Sequence, residues 1–240
     1  MSAVLYSVAD GVATLTLNRP ESRNALNFEM CERLLECSEN SSSNNDIKLV
    51  FVRANGPVFC AGADLKERQG MSEAQVRERR MKGFAAYAAL EALPMPSVAV
   101  LQGPALGSGC EIAGACDFIV ATPAASFRTP EAIRGTVGAT QRLPRILGKR
   151  LAKDMMFTGR TLTAEEAAVA GLVARLVPQA DLEKTLQEIK SEILKAPQQA
   201  LRLAKRCIDR GVDLDPERAL AVEIEAIEEQ LAAGAWMGKR

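Results

Sequence analysis

Two glutamates are candidate acid/base groups in a chain of 240 residues that contains no histidine. Glu111 lies in the apolar stretch CEIAGA, where a carboxylate without a partner is costly to bury. Glu131 lies in FRTPEAIRG, directly after a proline. Because histidine is absent, a Ser–His–Asp triad, a Cys–His pair and a histidine-ligated metal are excluded. Proton transfer must then use carboxylates, Lys, Tyr or Cys.

Both glutamates also have a purely structural interpretation. A negative charge in the first turn of a helix stabilises the helix dipole, and Glu111 and Glu131 both lie near predicted helix starts. For Glu111 the catalytic and the structural interpretations are equally supported. For Glu131 the structural interpretation is the stronger one, because Arg128 and Arg134 could pair with it at the surface.

Two segments, FCAGADLKE at 59–67 and GPALGSGCEIAG at 103–114, share one local design. In each, a strand runs into small residues and then into a helix, and Asp64 can cap the first of these helices. Amides at a helix start have no intrahelical acceptor. Two such turns side by side could direct two N–H groups at one oxygen, as in an oxyanion hole for a thioester enolate. Turns of this kind also occur for packing alone, and neither segment matches a Walker A or GxGxxG motif.

The remaining pattern indicates strands interleaved with helices, followed by helices only. Alternation over 3–17, broken by Asp10-Gly11, predicts a hairpin. Further strands are predicted at 47–54, 97–103 and 117–122, and a polar loop at 38–46. Predicted helices are 27–39 with Asn27 as N-cap, 72–92 opened by Ser72, 148–157, 163–170, 180–194, 197–210 and 216–232. We expect an α/β fold with a core over 1–180 and a helical C-terminal region over 181–240.

Composition narrows the function classes. Lys+Arg and Asp+Glu balance at 30 each, which argues against nucleic-acid or membrane-surface partners. No apolar run approaches the ~18–20 residues of a membrane span, and the first residues do not resemble a secretory signal. The six cysteines form no CxxC pair, so we expect reduced thiols and a cytoplasmic setting.

In their order along the chain, several blocks resemble the enoyl-CoA hydratase/isomerase (crotonase) superfamily. These blocks are NRPESRNALN, FCAGADLKE, PSVAVLQGPALGSGCEIAGACDFIVAT, FRTPEAIRG, TQRLPRILG and TGRTLTAEEAAVAGLVARLV. The resemblance covers nearly the whole chain. It implies a crotonase-like spiral core of ββα units with a C-terminal helical trimerisation region, assembled as a homotrimer or a dimer of trimers.

The resemblance also implies an acyl-CoA thioester substrate. Its carbonyl would lie between the backbone N–H groups of Ala63 and Ser108, at the two turns. The positions that match the coenzyme A and substrate-binding blocks of the family are Arg23, Ala25, Leu26, Ala61, Ala63, Asp64, Leu65, Lys66, Gly107 and Ser108. No metal or redox cofactor is implied, since coenzyme A is part of the substrate.

Hydratases of the family resemble two-glutamate enzymes, and Glu111 and Glu131 occupy both matching positions. The resemblance therefore implies reversible hydration of a trans-2-enoyl-CoA to a 3-hydroxyacyl-CoA, with the division of roles between the glutamates left open. The alternatives are Δ3–Δ2 isomerisation and a specialised hydratase or lyase for branched or aromatic acyl groups. A non-catalytic or RNA-binding relative is disfavoured by the neutral charge and the glutamate pair.

Three departures from the family pattern bear on the site. Ser108 stands where glycine is usual. The segment GTVGATQRL at 135–143 is a few residues shorter than the common form, directly after Glu131. The ending LAAGAWMGKR also differs from the usual one. The first departure leaves a backbone donor in place, and the second could change the shape of the acyl pocket.

Overall fold

A computed structural model describes residues 2–234 of the chain. Within this range the strands are β1 (Val4–Ala9), β2 (Val12–Leu17), β3 (Leu49–Ala54), β4 (Ser97–Leu101), β5 (Ala105–Leu106), β6 (Phe118–Ala121), β7 (Ser126–Arg128), β8 (Leu162–Thr163) and β9 (Arg175–Leu176). The helices are α1 (Phe28–Ser43), α2 (Leu65–Arg68), α3 (Glu73–Glu91), α4 (Ser108–Gly114), α5 (Arg142–Thr158), α6 (Ala164–Val169), α7 (Leu182–Lys195), α8 (Gln198–Gly211) and α9 (Pro216–Ala232). Short 3₁₀ turns lie at Pro20–Ser22, Ala132–Arg134 and Gln179–Asp181.

Two sheets organise the chain. The larger has the strand order β1-β2-β3-β4-β6-β9, and the smaller has the order β5-β7-β8. The pair β1–β2 is antiparallel, and the remaining neighbours in the larger sheet are parallel. The predicted hairpin is confirmed: Ala9 pairs with Val12 across a turn in which Asp10 and Gly11 have φ of 51° and 75°. A two-residue turn with positive φ at both positions matches the twist of the strands that it joins.

Alternating side chains of the larger sheet enter two separate cores. Val50 and Val52 of β3 face a core that includes residues of α1 and α3. Leu49 and Phe51 face the opposite side, where Leu182, Leu186 and Ile189 of α7 pack. A strand covered on both faces reads as a continuous apolar run, which agrees with the segment LVFV. Helix α7 thus covers one face of the sheet, and a division of the chain between 180 and 181 stays a prediction.

The prediction of a loop over 38–46 is wrong, because α1 continues to Ser43. The Ser38 hydroxyl donates to the carbonyl of Leu34 at 2.7 Å, and the Ser41 hydroxyl donates to the carbonyl of Cys37 at 2.8 Å. Serine hydroxyls that are satisfied inside the helix no longer compete with its backbone hydrogen bonds. Both predicted N-caps are confirmed. Asn27 accepts from the Met30 amide at 2.9 Å, and Ser72 forms a capping box with Gln75.

The predicted helix 148–157 matches the second part of α5, which Gly148 divides into two helical segments; the first segment, which begins at Arg142, was not predicted. Gly148 interrupts α5 with φ of 74° and ψ of 156°, so the apolar pattern changes phase there. Pro144 lies in the first turn, where its missing N–H has no intrahelical acceptor to lose. The first segment places Arg142 on a helix that faces α4.

Helices α8 and α9 pack against each other and leave large apolar side chains exposed. Ile208 of α8 is 62% exposed and Leu220 of α9 is 55% exposed, whereas Leu203 is buried. This pair occupies the region where the resemblance implies trimer contacts, and the assembly stays a prediction. Residues 235–240 of the divergent ending lie outside the described residues. None of the helices in the described range is both long and apolar enough to span a bilayer.

Candidate active site

The two glycine-rich turns lie in contact. Cys60 bridges Ala105 of β5 in parallel, and the Leu106 amide donates to the Cys60 carbonyl at 2.9 Å. Gly62 has a φ of 89°, and a Cβ placed on it would lie 3.0 Å from the Leu106 carbonyl oxygen and 3.9 Å from the Ser108 amide nitrogen. A side chain at Gly62 would be strained and crowded. The two segments are therefore neighbours, which is the arrangement that two amides directed at one oxygen require.

The amide of Ala63 is free because its neighbours carry the local backbone pairing. The Gly62 carbonyl accepts from the Leu26 amide at 2.8 Å, and the Asp64 amide donates to the Leu26 carbonyl at 2.9 Å. In this parallel bridge the N–H of Ala63 points away from Leu26. Within residues 2–234 the Ala63 amide donates to no protein atom.

The amide of Ser108 is the second free donor. Ser108 is the first residue of α4, and a first-turn amide has no acceptor four residues back within the helix. Gly107, which precedes it, adopts φ of 50° and ψ of −108°. Ala63 and Ser108 line the same pocket, which has a volume of about 440 Å³. Two free amides at adjoining turns are suited to hold one carbonyl oxygen as it gains negative charge.

Glu111 lies one turn into α4 and is 6% exposed. Its Oε2 accepts from Arg142 Nη1 at 2.9 Å. Its Oε1 is buried and has no hydrogen-bond partner among the described residues. Burial raises the pKa of this carboxyl, and the adjacent Arg142 guanidinium opposes that rise. Arg142 thus fixes one oxygen and leaves the other free.

Sequence reasoning missed the role of Arg142. Its guanidinium also donates through Nη2 to Glu91 at 2.6 Å, and it lies over the Tyr87 ring at 5.9 Å from the ring centre. Three contacts from three directions hold the side chain of Arg142 in place. Arg142 lies in the block TQRLPRILG, which matched the family pattern. The sequence did not indicate that this arginine would face the helix of Glu111.

Glu131 enters the pocket from the turn after β7. Its Oε2 is buried without a hydrogen-bond partner in the described part of the chain. Its Oε1 lies so close to Gly107 that a Cβ at this glycine would collide with it. Burial raises the pKa of Glu131, the charge of Glu111 raises it further, and the charges of Arg134 and Arg80 lower it.

The surface alternative for Glu131 does not agree with the observed contacts. Arg128 Nε donates to the carbonyl of Gly159 at 2.5 Å and makes no ion pair with Glu131. Arg134 also forms no ion pair with Glu131 within the described range, although its charge is near. The side chain of Glu131 is directed at the pocket instead.

The predicted binding residues divide into two groups. Those that line the pocket are Leu26, Ala61, Ala63, Leu65, Gly107 and Ser108, together with both glutamates. Those that do not are Arg23, Ala25, Asp64 and Lys66. Asp64 accepts from the amides of Lys66 and Glu67 and from Arg19 Nη1 at 3.0 Å, which lowers its pKa against the opposing effect of burial. Its contacts support the local fold, and a role in binding coenzyme A stays a prediction.

Tyr87 is a further pocket residue that the sequence did not single out. It lies on α3, is 4% exposed, and burial raises the pKa of its phenol. The nearby Ser108 side chain opposes this rise. Tyr87 therefore contacts both the second turn and the guanidinium that holds Glu111.

The chain is similar to known proteins along most of its length. The family described as enoyl-CoA hydratase/isomerase matches residues 7–234. The short-chain-enoyl-CoA hydratase of Clostridium acetobutylicum is 36% identical over 233 residues, which is 95% of this chain and 89% of that protein. The crystal structure of enoyl-CoA hydratase from Bacillus anthracis superposes with a TM-score of 0.90 at 36% identity, over 94% of this chain and 90% of that one.

A further solved structure contains a thioester. A Thermobifida fusca protein in complex with acetoacetyl-CoA has a TM-score of 0.88 and 25% identity, over 97% of this chain and 96% of that one. These similarities confirm the fold class that the sequence predicted, an α/β fold followed by C-terminal helices. The trimer remains a prediction.

Proposed function

This chain belongs to the enoyl-CoA hydratase/isomerase family, and we propose that it hydrates a trans-2-enoyl-CoA to a 3-hydroxyacyl-CoA. The observation that carries the proposal is the pair of buried, unpartnered carboxylate oxygens, Oε1 of Glu111 and Oε2 of Glu131. Both glutamates line the pocket that holds the free amides of Ala63 and Ser108. Polar atoms left without partners inside a pocket point to a ligand that supplies them.

The first step is polarisation of the substrate. The thioester oxygen accepts from the amides of Ala63 and Ser108, which draws electrons from the conjugated double bond towards that oxygen. The third carbon of the acyl chain becomes electrophilic, and the resulting enolate is stabilised by the same two donors. One donor of this type contributes about 2.7–4 kcal/mol to stabilisation of a transition state.

The second step is addition of water. An ionised glutamate takes a proton from a water held between both carboxylates, and the hydroxide adds at the third carbon. A glutamic acid then donates a proton to the second carbon, which completes the hydration. We assign the ionised role to Glu111, because the Arg142 guanidinium favours its charged form. Glu131, which has no such hydrogen-bonded cation among the described residues, then supplies the proton.

All these steps use carboxylates and backbone amides. Coenzyme A enters as part of the substrate, and the proposed reaction requires no metal or redox cofactor. The Thermobifida fusca protein solved with acetoacetyl-CoA supports a thioester substrate, since its fold covers 97% of this chain.

Isomerisation between Δ3 and Δ2 enoyl-CoA is the second candidate. It needs one group that removes the acidic proton from the second carbon, next to the thioester, and delivers it to the fourth. The family description includes this activity. The hydrogen bond from Arg142 favours it specifically, since Glu131 could act alone if the guanidinium held Glu111 out of reach of the substrate.

Two substrates separate these candidates. We expect the chain to remove the absorbance of the conjugated enoyl group from crotonyl-CoA, as 3-hydroxybutyryl-CoA forms. An isomerase without hydratase activity would leave crotonyl-CoA unchanged and would convert 3-butenoyl-CoA to crotonyl-CoA, with a rise in that absorbance. The second result would contradict the hydratase proposal.

We also propose a homotrimer or a dimer of trimers. The exposed apolar side chains of α8 and α9, such as Ile208 and Leu220, support it, because apolar surface of this kind usually marks an interface. Light scattering at micromolar concentration should give a mass of three or six chains. A monomer under those conditions would contradict the proposal.

A further inference from the structure

Three arginines line the pocket without an ion pair in the described range: Arg68, Arg80 and Arg134. Another arginine of the same pocket, Arg79, differs, because its Nε donates to Glu67 at 2.8 Å. Guanidinium groups in a partly enclosed site are favourable partners for a planar anion.

Arg80 is held at the pocket wall by contacts that leave part of its guanidinium free. Its Nη2 donates to Thr136 Oγ1 at 2.6 Å and to the Val137 carbonyl at 3.1 Å. Both acceptors belong to the short loop after Glu131 and line the pocket. Nε and Nη1 of Arg80 donate to no other described residue, so donors remain for a ligand. The side chain links α3 to that loop across the pocket.

The position of these cations relative to the reacting atoms indicates which part of a substrate they would meet. The thioester oxygen would lie at Ala63 and Ser108, and the third acyl carbon would lie beside Glu111 and Glu131. The 3₁₀ turn Ala132–Arg134 and the loop that Arg80 contacts both follow Glu131 directly. Arg80 and Arg134 therefore lie close to Glu131, the glutamate that we place at the reacting carbons.

The charge on this side of the pocket is not balanced by protein. Arg142 is already paired with Glu111. Glu131 is the one other carboxyl group near these two cations, and as the proton donor of the proposed reaction it is uncharged when substrate binds. A ligand carboxylate at this place would offset the positive charge of Arg80 and Arg134 and would accept from donors that have no other partner among the described residues.

We propose that Arg80 and Arg134 bind a carboxylate at the end of a short acyl chain, so that the substrates are enoyl thioesters of dicarboxylic acids. This inference rests on the proposed hydration, because it uses the same thioester position and the same glutamates. A carboxylate two carbons beyond the third acyl carbon would reach the guanidinium groups while water adds to the double bond.

The phosphates of coenzyme A are a second source of anionic groups, and the experiment must separate the two. Glutaconyl-CoA carries the terminal carboxylate, and a neutral thioester of the same shape carries an isopropyl group in its place. Both acyl groups are also prepared as N-acetylcysteamine thioesters, which lack the phosphates. The measured quantity is the ratio of kcat/KM for the carboxylated and the neutral substrate.

The wild-type chain should prefer the carboxylated substrate by about tenfold or more in both thioester series, the scale of a hydrogen bond to a charged group. Arg80→Met and Arg134→Met should each lower this ratio by about tenfold. Arg77→Met is the matched control, since Arg77 lies on the same helix, is exposed and does not line this pocket. Its ratio should equal that of the wild type. Arg134→Met keeps the test valid if Arg80→Met disturbs the loop.

Three results would overturn the inference. The wild type could show no preference for the carboxylate, or both variants could retain the full preference. Alternatively, the effect of the variants could disappear in the N-acetylcysteamine series, which would assign the arginines to the phosphates. Hydration of the neutral thioesters without any preference would contradict this inference and leave the proposed function intact. Failure of the wild type to hydrate any of the thioesters would contradict both.

Discussion

The two glutamates face one pocket but have different surroundings. Glu111 lies on a helix, and Arg142 holds one of its oxygens at 2.9 Å. Glu131 follows a proline at an irregular turn and has a buried oxygen without a partner in residues 2–234. Glu111 is thus held by a cation that favours its charged form. Glu131 has the charges of Arg80 and Arg134 nearby but forms no ion pair with either arginine. Similar residues at one site can take different roles when only one is paired.

The pKa values of the two glutamates depend on each other. Burial raises the pKa of both carboxyls, and the charge of Glu111 raises the pKa of Glu131 further. Protons on such a pair titrate together. The difference between the two glutamates is therefore tested by replacing one glutamate, or one residue that holds it, at a time.

The largest effect should come from the glutamates themselves. Glu111→Gln and Glu131→Gln should each lower kcat by about 10²–10⁴-fold, the usual contribution of general acid–base catalysis. The affinity for the thioester should remain close to that of the wild type, because the pocket and the amides are retained. Steady-state kinetics with crotonyl-CoA gives both quantities. Variants that keep more than about half of the activity would contradict the two-glutamate account.

The second-largest effect should follow from Ser108→Pro. This variant tests whether a backbone amide holds the thioester oxygen beside the two glutamates. Proline removes the amide and fixes φ, so kcat should fall by about 10²–10³-fold, as on loss of one oxyanion donor. Ser108→Gly retains the amide and should have a mild effect. The thermal unfolding of both variants must first match the wild type. Loss of activity in a folded Ser108→Gly variant would instead assign a chemical role to the hydroxyl.

Arg142→Met should have the next effect, because it removes the cation that distinguishes Glu111. We expect kcat to fall by about 10–100-fold at low pH, the scale of a hydrogen bond between charged groups. Arg160→Met is a matched control, since Arg160 also bridges two carboxylates, Asp154 and Glu166, but does not line the pocket. Its activity should equal that of the wild type. Equal losses in both variants would point to folding instead of catalysis.

The same variant has a defined effect on pH dependence. Arg142 lowers the pKa of Glu111, so its removal raises that pKa, and the ionised form is lost at a higher pH than in the wild type. The acidic limb of the kcat profile should therefore move to higher pH. A merely structural role would lower activity at all pH values without moving the limb. An unmoved limb would contradict the assignment of Glu111 as the ionised group.

Glu91→Gln should have the smallest effect. Glu91 accepts from the other side of Arg142 at 2.6 Å but is half-exposed, so solvent screens its charge. Loss of this contact should lower kcat by only a few-fold, with little change in KM. A loss as large as that of Arg142→Met would show that Arg142 requires both partners to hold Glu111.

The turns and the helix caps could be predicted because those signals are local, whereas the pairing of Glu111 with Glu131 was implied only by the resemblance to the family. Gly62, Gly107 and the helix caps at Asn27 and Ser72 depend on neighbours within a few residues. Arg142 was missed because its partner Glu111 is 31 positions away and because the helical segment before Gly148 was not predicted. The pocket arginines Arg80 and Arg134 could not be predicted from the sequence either, since α3 and the loop after Glu131 meet only in the fold.

Hydration of crotonyl-CoA in H₂¹⁸O tests the central claim most directly. If the glutamate pair activates a water that adds to the double bond, mass spectrometry of the 3-hydroxybutyryl-CoA should show ¹⁸O on the third carbon. The double variant with Glu111→Gln and Glu131→Gln should form no detectable labelled product at the same enzyme concentration. Labelled product at the wild-type rate from that variant, or none from the wild type, would contradict the account.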